Sequence, residues 1–357
     1  MKRSQRRGLA SPARTAGSVR GVLLVLGGVA ALAAVIGIAV FLHYRHFTVT
    51  PLNIAAGPEP ETIELARGTT FKDVVRELRR RGISRAAPLW WRILGRETQA
   101  PKRLHAGEYA LVPGMTPRDL VDHMIRGEVL QHHFTIVDGW TFAQVRAALA
   151  AVAGLQHTLD AESDADIATA LGIAGGQPEG WFRPETYSWV KGDSDLDLLR
   201  QAHAAMVRVL DRLWAGRDAD VAVKSPYEAL ILASLVEKET ARPEERPEIA
   251  GVFERRLKLG MRLQTDPSVI YGIGSAYDGR IHTRDLERDT PYNTYTRGGL
   301  PPTPIALPGD AAIEAVLHPA GGDALYFVAR GDGTHQFSAT LAEHNRAVAR
   351  YQLHRNP

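Results

Sequence analysis

The chain has 357 residues, 45% hydrophobic and 23% charged, with no cysteine and a formal charge of +3. That length allows two folded units beyond any anchor, and the missing cysteine excludes disulfides, thiolate metal sites and cysteine nucleophiles. Lys2, Arg3, Arg6, Arg7, Arg14 and Arg20 precede residue 21 with no acid among them. The high pI is therefore a property of the tail, and the net-acidic remainder excludes a nucleic-acid footprint.

Residues 22–42 hold no charged or strongly polar side chain, enough to cross a bilayer as a helix. The basic flank predicts that the N-terminus stays in the cytoplasm and residues 43–357 lie outside. The run is longer than a signal-peptide core and ends in Phe41-Leu42-His43-Tyr44 rather than a small-residue cleavage site, which favours an uncleaved anchor. Residues 43–60, with Pro51, Gly57, Pro58 and Pro60, read as a juxtamembrane linker.

A motif then occurs three times: Gly68-Thr69-Thr70-Phe71-Lys72-Asp73, Gly114-Met115-Thr116-Pro117-Arg118-Asp119 and Gly139-Trp140-Thr141-Phe142-Ala143-Gln144. Threonine followed three residues later by Asp or Gln is a helix-start signal, since each side chain can satisfy a backbone N–H of the other. A strand-like run precedes each copy (62–65, 109–112, 134–137), and apolar residues at helical spacing follow. The reading is strand, glycine turn, capped helix, three times over.

Residues 161–170 form a weak helical stretch and 175–180 a turn. The aromatic run from Trp181 to Trp189 suits either a packed core loop or a sugar-stacking surface. Helices are predicted over 196–214, 227–239 and 247–259, with Asp266-Pro267 as cap and first turn of another. Residues 289–309 contain five prolines and no periodicity, so they form a long irregular loop of the kind that often carries function. Strands at 325–328 and 335–337 and a helix from Thr340 close the chain.

No metalloprotease, serine-hydrolase or phosphate-loop motif is present, and the histidines show no ligand spacing, so neither a metal nor a cofactor is expected. Carboxylate chemistry remains. The segment from Tyr227 to Val236 is almost wholly apolar and ends in Glu237-Lys238-Glu239-Thr240. A carboxyl at the end of a buried helix can be kept protonated near neutrality, as a general acid requires. Glu237 and Glu239 point about 200° apart on a helix, so they cannot flank one bond as a pair. Asp266 is a candidate second acid or a helix cap.

LASLVEKET (232–240), GMRLQTDPSVIYG (260–272), PYNTY (291–295), GLPPTPI (299–305), HPA (318–320), LYFVARGDGTHQFS (325–338) and EHN (343–345) resemble, in order and spacing, the endolytic murein transglycosylase (YceG-like) family. The resemblance spans roughly residues 60–350, and the N-terminal repeats resemble that family's LysM-like region. It implies cleavage within nascent peptidoglycan strands by one carboxyl group, leaving 1,6-anhydro-MurNAc ends, and it favours Glu239, beside Thr240, over Glu237 as the acid. It assigns Gln264, Thr265, Asp266, Tyr271, Asn293, Thr294 and Tyr295 to holding sugars, and it implies work beside peptidoglycan synthases. Leu307 departs from the family pattern, where many members have asparagine.

The fold expected is α+β: a cytoplasmic tail (1–21), a transmembrane helix (22–42), a linker (43–60), a LysM-like glycan-binding module (61–135) and a mixed α+β catalytic domain (136–357). The protein is expected in the inner membrane with its catalytic domain periplasmic. The rival readings are a non-catalytic peptidoglycan-binding scaffold and a hydrolytic glycosidase using Asp266.

Overall fold

A computed structural model describes residues 16–58 and 60–353, with side chains from Gly21 onward. The basic tail expected over residues 1–21 falls outside the described residues, apart from the first turn of a helix. Among the described residues the fold is mixed α+β, with three two-stranded antiparallel sheets. It divides into two compact units, one ending at Leu130 and one beginning at Gln131.

The first unit contains α1 (Ala16–Val49), β1 (Glu61–Leu65), α2 (Phe71–Arg80), α3 (Pro88–Thr98), α4 (Ala100–Arg103), β2 (Gly107–Leu111) and α5 (Pro117–Arg126). β1 pairs antiparallel with β2, Glu61 opposite Leu111 and Leu65 opposite Gly107. Residues 21–49 of α1 are long and apolar enough to cross a membrane, and their most apolar stretch is unburied. The expected linker is mostly not one. α1 runs on to Val49, Phe47 and Leu52 are buried in the core of this unit, and the Leu52 N–H donates to the Met115 carbonyl at 2.8 Å. Apolar side chains at 47, 52 and 54 outweigh the loop signal of the prolines around them.

The second unit contains β3 (His132–Thr135), α6 (Phe142–Ala150), α7 (Asp164–Leu171), β4 (Thr186–Trp189), α8 (Asp195–Ala215), α9 (Pro226–Glu239), α10 (Arg246–Lys258), α11 (Asp266–Ile273), α12 (Thr283–Glu287), α13 (Asp310–Leu317), β5 (Tyr326–Ala329), β6 (His335–Ser338) and α14 (Leu341–Tyr351). The division falls before the expected boundary at 135/136. β3 pairs with β4, His132 opposite Trp189, and that ladder takes residues 132–135 into the second unit. α9 is its spine. Every residue from Ala229 to Val236 is buried, with α8, α10, α11 and α13 packed around them.

All three repeats start helices as expected. Thr70, Thr116 and Thr141 accept from the N–H of Asp73, Asp119 and Gln144, and each of those side chains accepts the threonine N–H in return. The glycine two residues before each threonine has positive φ (88°, 91° and 76°), a turn that an L side chain would strain. The third strand lies two residues earlier than the pattern suggested. The run from Trp181 to Trp189 is core, with Phe182, Tyr187 and Trp189 buried.

Gly95 in α3 faces the Phe71 ring so closely that a Cβ would sit 2.5 Å from a ring carbon. Gly95→Ala is therefore expected to lower stability by about 1–3 kcal/mol through overpacking, measured by denaturant unfolding. A neutral result would mean that α2 and α3 can separate freely.

Candidate active site

α9 stops at Glu239 because Thr240 is extended (φ −144°, ψ 137°), with its hydroxyl accepting the Arg242 N–H at 3.0 Å. Glu239 is half-buried. Desolvation is the main reason its carboxyl is pushed up to about 7; the neighbouring Asp266 charge adds to this, whereas the Thr265 hydrogen bond and Arg256 oppose it. Thr265 Oγ1 donates directly to Glu239 Oε1. A carboxyl that keeps a large protonated fraction at neutrality yet is partly open to solvent can give a proton to a ligand and take one back.

Thr265 is held from the irregular loop that follows α12. Its N–H donates to Thr294 Oγ1 at 3.0 Å, and its carbonyl accepts from Ser268 Oγ at 2.7 Å. Gln264 is exposed, and its N–H donates to the Thr294 carbonyl at 3.2 Å. It has φ +52°, a left-handed conformation uncommon for a side-chain-bearing residue and worth noting beside a reactive group. Arg256, buried, braces the same turn by donating to the carbonyls of Leu263 (2.8 Å) and Leu325 (2.6 Å).

Asp266 is exposed and occupies the first helical position of α11. Thr265, not Asp266, is the residue at the cap. The Tyr295 hydroxyl donates to Asp266 Oδ1 at 2.6 Å. Asn293 is 1% exposed. Its amide donates to the carbonyls of Asp285, Leu286 and Arg288, and its oxygen accepts the Tyr295 N–H. Asn293 and Thr294 are thus turned inward as braces of the loop, while Gln264, Asp266 and Tyr295 keep surface toward solvent.

Tyr271 belongs to a different network. Its hydroxyl donates to Glu179 Oε2 at 3.0 Å, and its ring meets Tyr292 edge-on at 4.9 Å. Glu179 escaped the sequence reading, for it sits in a Pro-Glu-Gly turn with no periodicity. It is 6% exposed and accepts the Phe142 N–H at the start of α6. Burial pushes its carboxyl up to about 7, against the pull of the Phe142, Tyr271 and Gly180 hydrogen bonds.

Glu237 is spoken for. Its side chain, 5% exposed, takes Arg246 Nη2 at 2.8 Å on one oxygen and the Gly309 N–H at 3.1 Å on the other. That pairing leaves Glu239 as the carboxyl of α9's last turn available to a ligand. His335 and His318 are also engaged, with Glu245 and Asp218 at 2.7 and 2.8 Å.

The sequence model of the YceG-like family matches residues 63–350. A Bacillus subtilis (strain 168) protein called endolytic murein transglycosylase is 40% identical over 178 residues, 50% of this chain and 49% of that protein. A Streptococcus pneumoniae (strain D39) protein of the same name is 30% identical over 282 residues, 70% of this chain and 51% of that protein. The chain thus spans about half the length of the curated relatives it matches. A crystal structure of a yceG-like protein from Listeria monocytogenes, 30% identical, superposes with a TM-score of 0.50 over 81% of this chain and 99% of that one.

Proposed function

This chain belongs to the YceG-like family, and from that premise we propose that it is an endolytic peptidoglycan lytic transglycosylase, a lyase that cuts the MurNAc–GlcNAc bond inside nascent glycan strands. The observation that carries the reading is the single half-buried carboxyl of Glu239, raised to about 7 and held by Thr265. Glu239 protonates the bridging oxygen as the MurNAc C1–oxygen bond breaks and an oxocarbenium-like state develops. The resulting carboxylate then removes the proton of the C6 hydroxyl, whose oxygen closes on C1. The products are a 1,6-anhydro-MurNAc end and a free GlcNAc hydroxyl, and no water is consumed. Thr265 orients the acid. Gln264, Asp266 and Tyr295 contact the sugars, Asn293 and Thr294 fix the loop that presents them, and Tyr271, expected among the sugar contacts, is instead held by Glu179.

We read α1 as a single-pass inner-membrane anchor with the N-terminus cytoplasmic and both units periplasmic, supported by its length and exposure. In the first unit two paired antiparallel strands, β1 and β2, enclose the helices α2, α3 and the one-turn α4, an order that supports a LysM-like fold. Peptidoglycan strands are the partner, with glycan-polymerising synthases alongside and no nucleic acid.

The test is digestion of purified glycan strands in heavy-oxygen water, with the new ends read by mass spectrometry. Anhydro ends without label are expected. Labelled reducing ends would establish a hydrolase, and no new ends would leave a binding scaffold.

The same acid sets the pH dependence. The protonated form is the active one, so kcat/KM should fall as pH rises through about 7. Thr265→Val removes a bond that favours the carboxylate and should move that limb to higher pH. Asp266→Asn removes a charge that disfavours it and should move the limb to lower pH. Shifts of the same sign in both variants would contradict the assignment.

A further inference from the structure

The first unit carries a groove of about 1170 Å³ between α2 and α3, closed at one end by α4. Its rim holds Lys72, Arg76, Arg79, Arg92, Arg96 and Lys102, all exposed, and no acidic side chain lines it. Arg76 reaches Asp73 at 2.9 Å. The other five cations make no ion pair among the described residues, whereas Arg80 and Arg81, just outside the groove, both share Glu77. Six like charges around one concavity repel one another and concentrate counter-anions. The floor is apolar, with Phe71 and Trp91 buried. Those rings are packed away and offer no open face for a sugar to stack on, so the groove suits an anion better than a neutral glycan.

Its position identifies the anion. The apolar stretch of α1 ends at Leu42, and Phe47 lies about 7 Å further along the axis, within the depth of a lipid headgroup layer. There the Phe47 ring meets Trp91, a floor residue of the groove, at 5.3 Å. Trp90, next in α3, packs on His43 at 4.9 Å and on Tyr44 at 6.3 Å. Leu89 is 51% exposed at the start of the same helix. Tryptophan, tyrosine and an open leucine at the end of a membrane helix are interfacial anchors. A cluster of lysine and arginine held at a bilayer surface attracts anionic headgroups by charge, within a Debye length of roughly 8–10 Å.

We propose that the groove between α2 and α3 binds the phosphate of an anionic membrane-lipid headgroup, seating the first unit on the bilayer surface. The site is independent of Glu239 and of the reaction assigned to it.

The experiment uses the full-length chain in detergent micelles, titrated with phosphatidylglycerol, with phosphatidylcholine of the same acyl chains, or with inorganic phosphate, and followed by native mass spectrometry. Phosphatidylglycerol should bind about tenfold or more tightly than phosphatidylcholine. Arg92→Gln with Arg96→Gln on one wall, and Lys72→Gln with Arg79→Gln on the other, should each cut that preference several-fold relative to the unaltered chain, while Arg80→Gln should leave it intact. The basic tail is the same in every variant, so its own attraction cancels. If one pair fails to fold, the other decides. Equal binding of the two lipids, a preference undiminished in a folded groove variant, inorganic phosphate binding as tightly as the lipid, or N-acetylglucosamine oligomers displacing the lipid would each overturn the proposal.

Discussion

Glu239→Gln is expected to abolish strand scission, lowering kcat by about 10²–10⁴-fold while glycan binding persists. Glutamine keeps the shape of the side chain, and its amide oxygen can still accept the Thr265 hydroxyl, so the turn around it should survive. What it lacks is a transferable proton. Counting anhydro ends by mass spectrometry, beside a binding measurement on the same variant, separates lost chemistry from lost affinity. Undiminished scission would remove Glu239 from the mechanism. The substitution also has a stability signature. The native carboxyl titrates near 7 against an ordinary 4.5, so the folded protein binds the extra proton across that window and wild-type stability falls as pH rises through it. The variant has no such proton to lose. At pH 8 it should be the more stable protein, by an amount of order 1–3 kcal/mol, and near pH 4 the two should converge.

Arg246→Met should be the most damaging single change away from the reacting carboxyl. Arg246 and Glu237 are 13% and 5% exposed and bonded at 2.8 Å, so they form a buried pair. Removing one partner of such a pair typically costs 3–5 kcal/mol, because the other charge stays buried without compensation. For a protein of this size the melting temperature should fall by roughly 10 °C. Arg246→Met combined with Glu237→Gln should recover most of the loss, since the amide can still accept the Gly309 N–H. A single-variant cost under about 1 kcal/mol would mean that Glu237 is hydrated and the pair behaves as an exposed one.

The features legible in the sequence were the local ones. The Thr70, Thr116 and Thr141 caps need only a threonine and a partner three residues on, and the buried face of α9 is continuous in the chain. The site was legible only where a family resemblance bridged the distance. Thr265 meets Glu239 across 26 residues, and Glu179 meets Tyr271 across 92, separations at which no periodicity operates. α3 went unread although proline opens it and Trp91 and Leu94 face its core, and α13 was hidden in a run of alanines after a proline-rich loop. The linker was misread because proline and glycine signal turns whether or not the residues between them are packed.

The passage of α1 into the first core at Phe47 gives the molecule a handle where a leash was anticipated. No swivel intervenes, so with α1 as the anchor proposed above the orientation of that unit against a bilayer would be inherited from the tilt of the helix. A helix longer than the hydrocarbon layer can accommodate by tilting, so with α1 as the proposed anchor a thinner membrane should tip the whole unit instead of merely changing its reach.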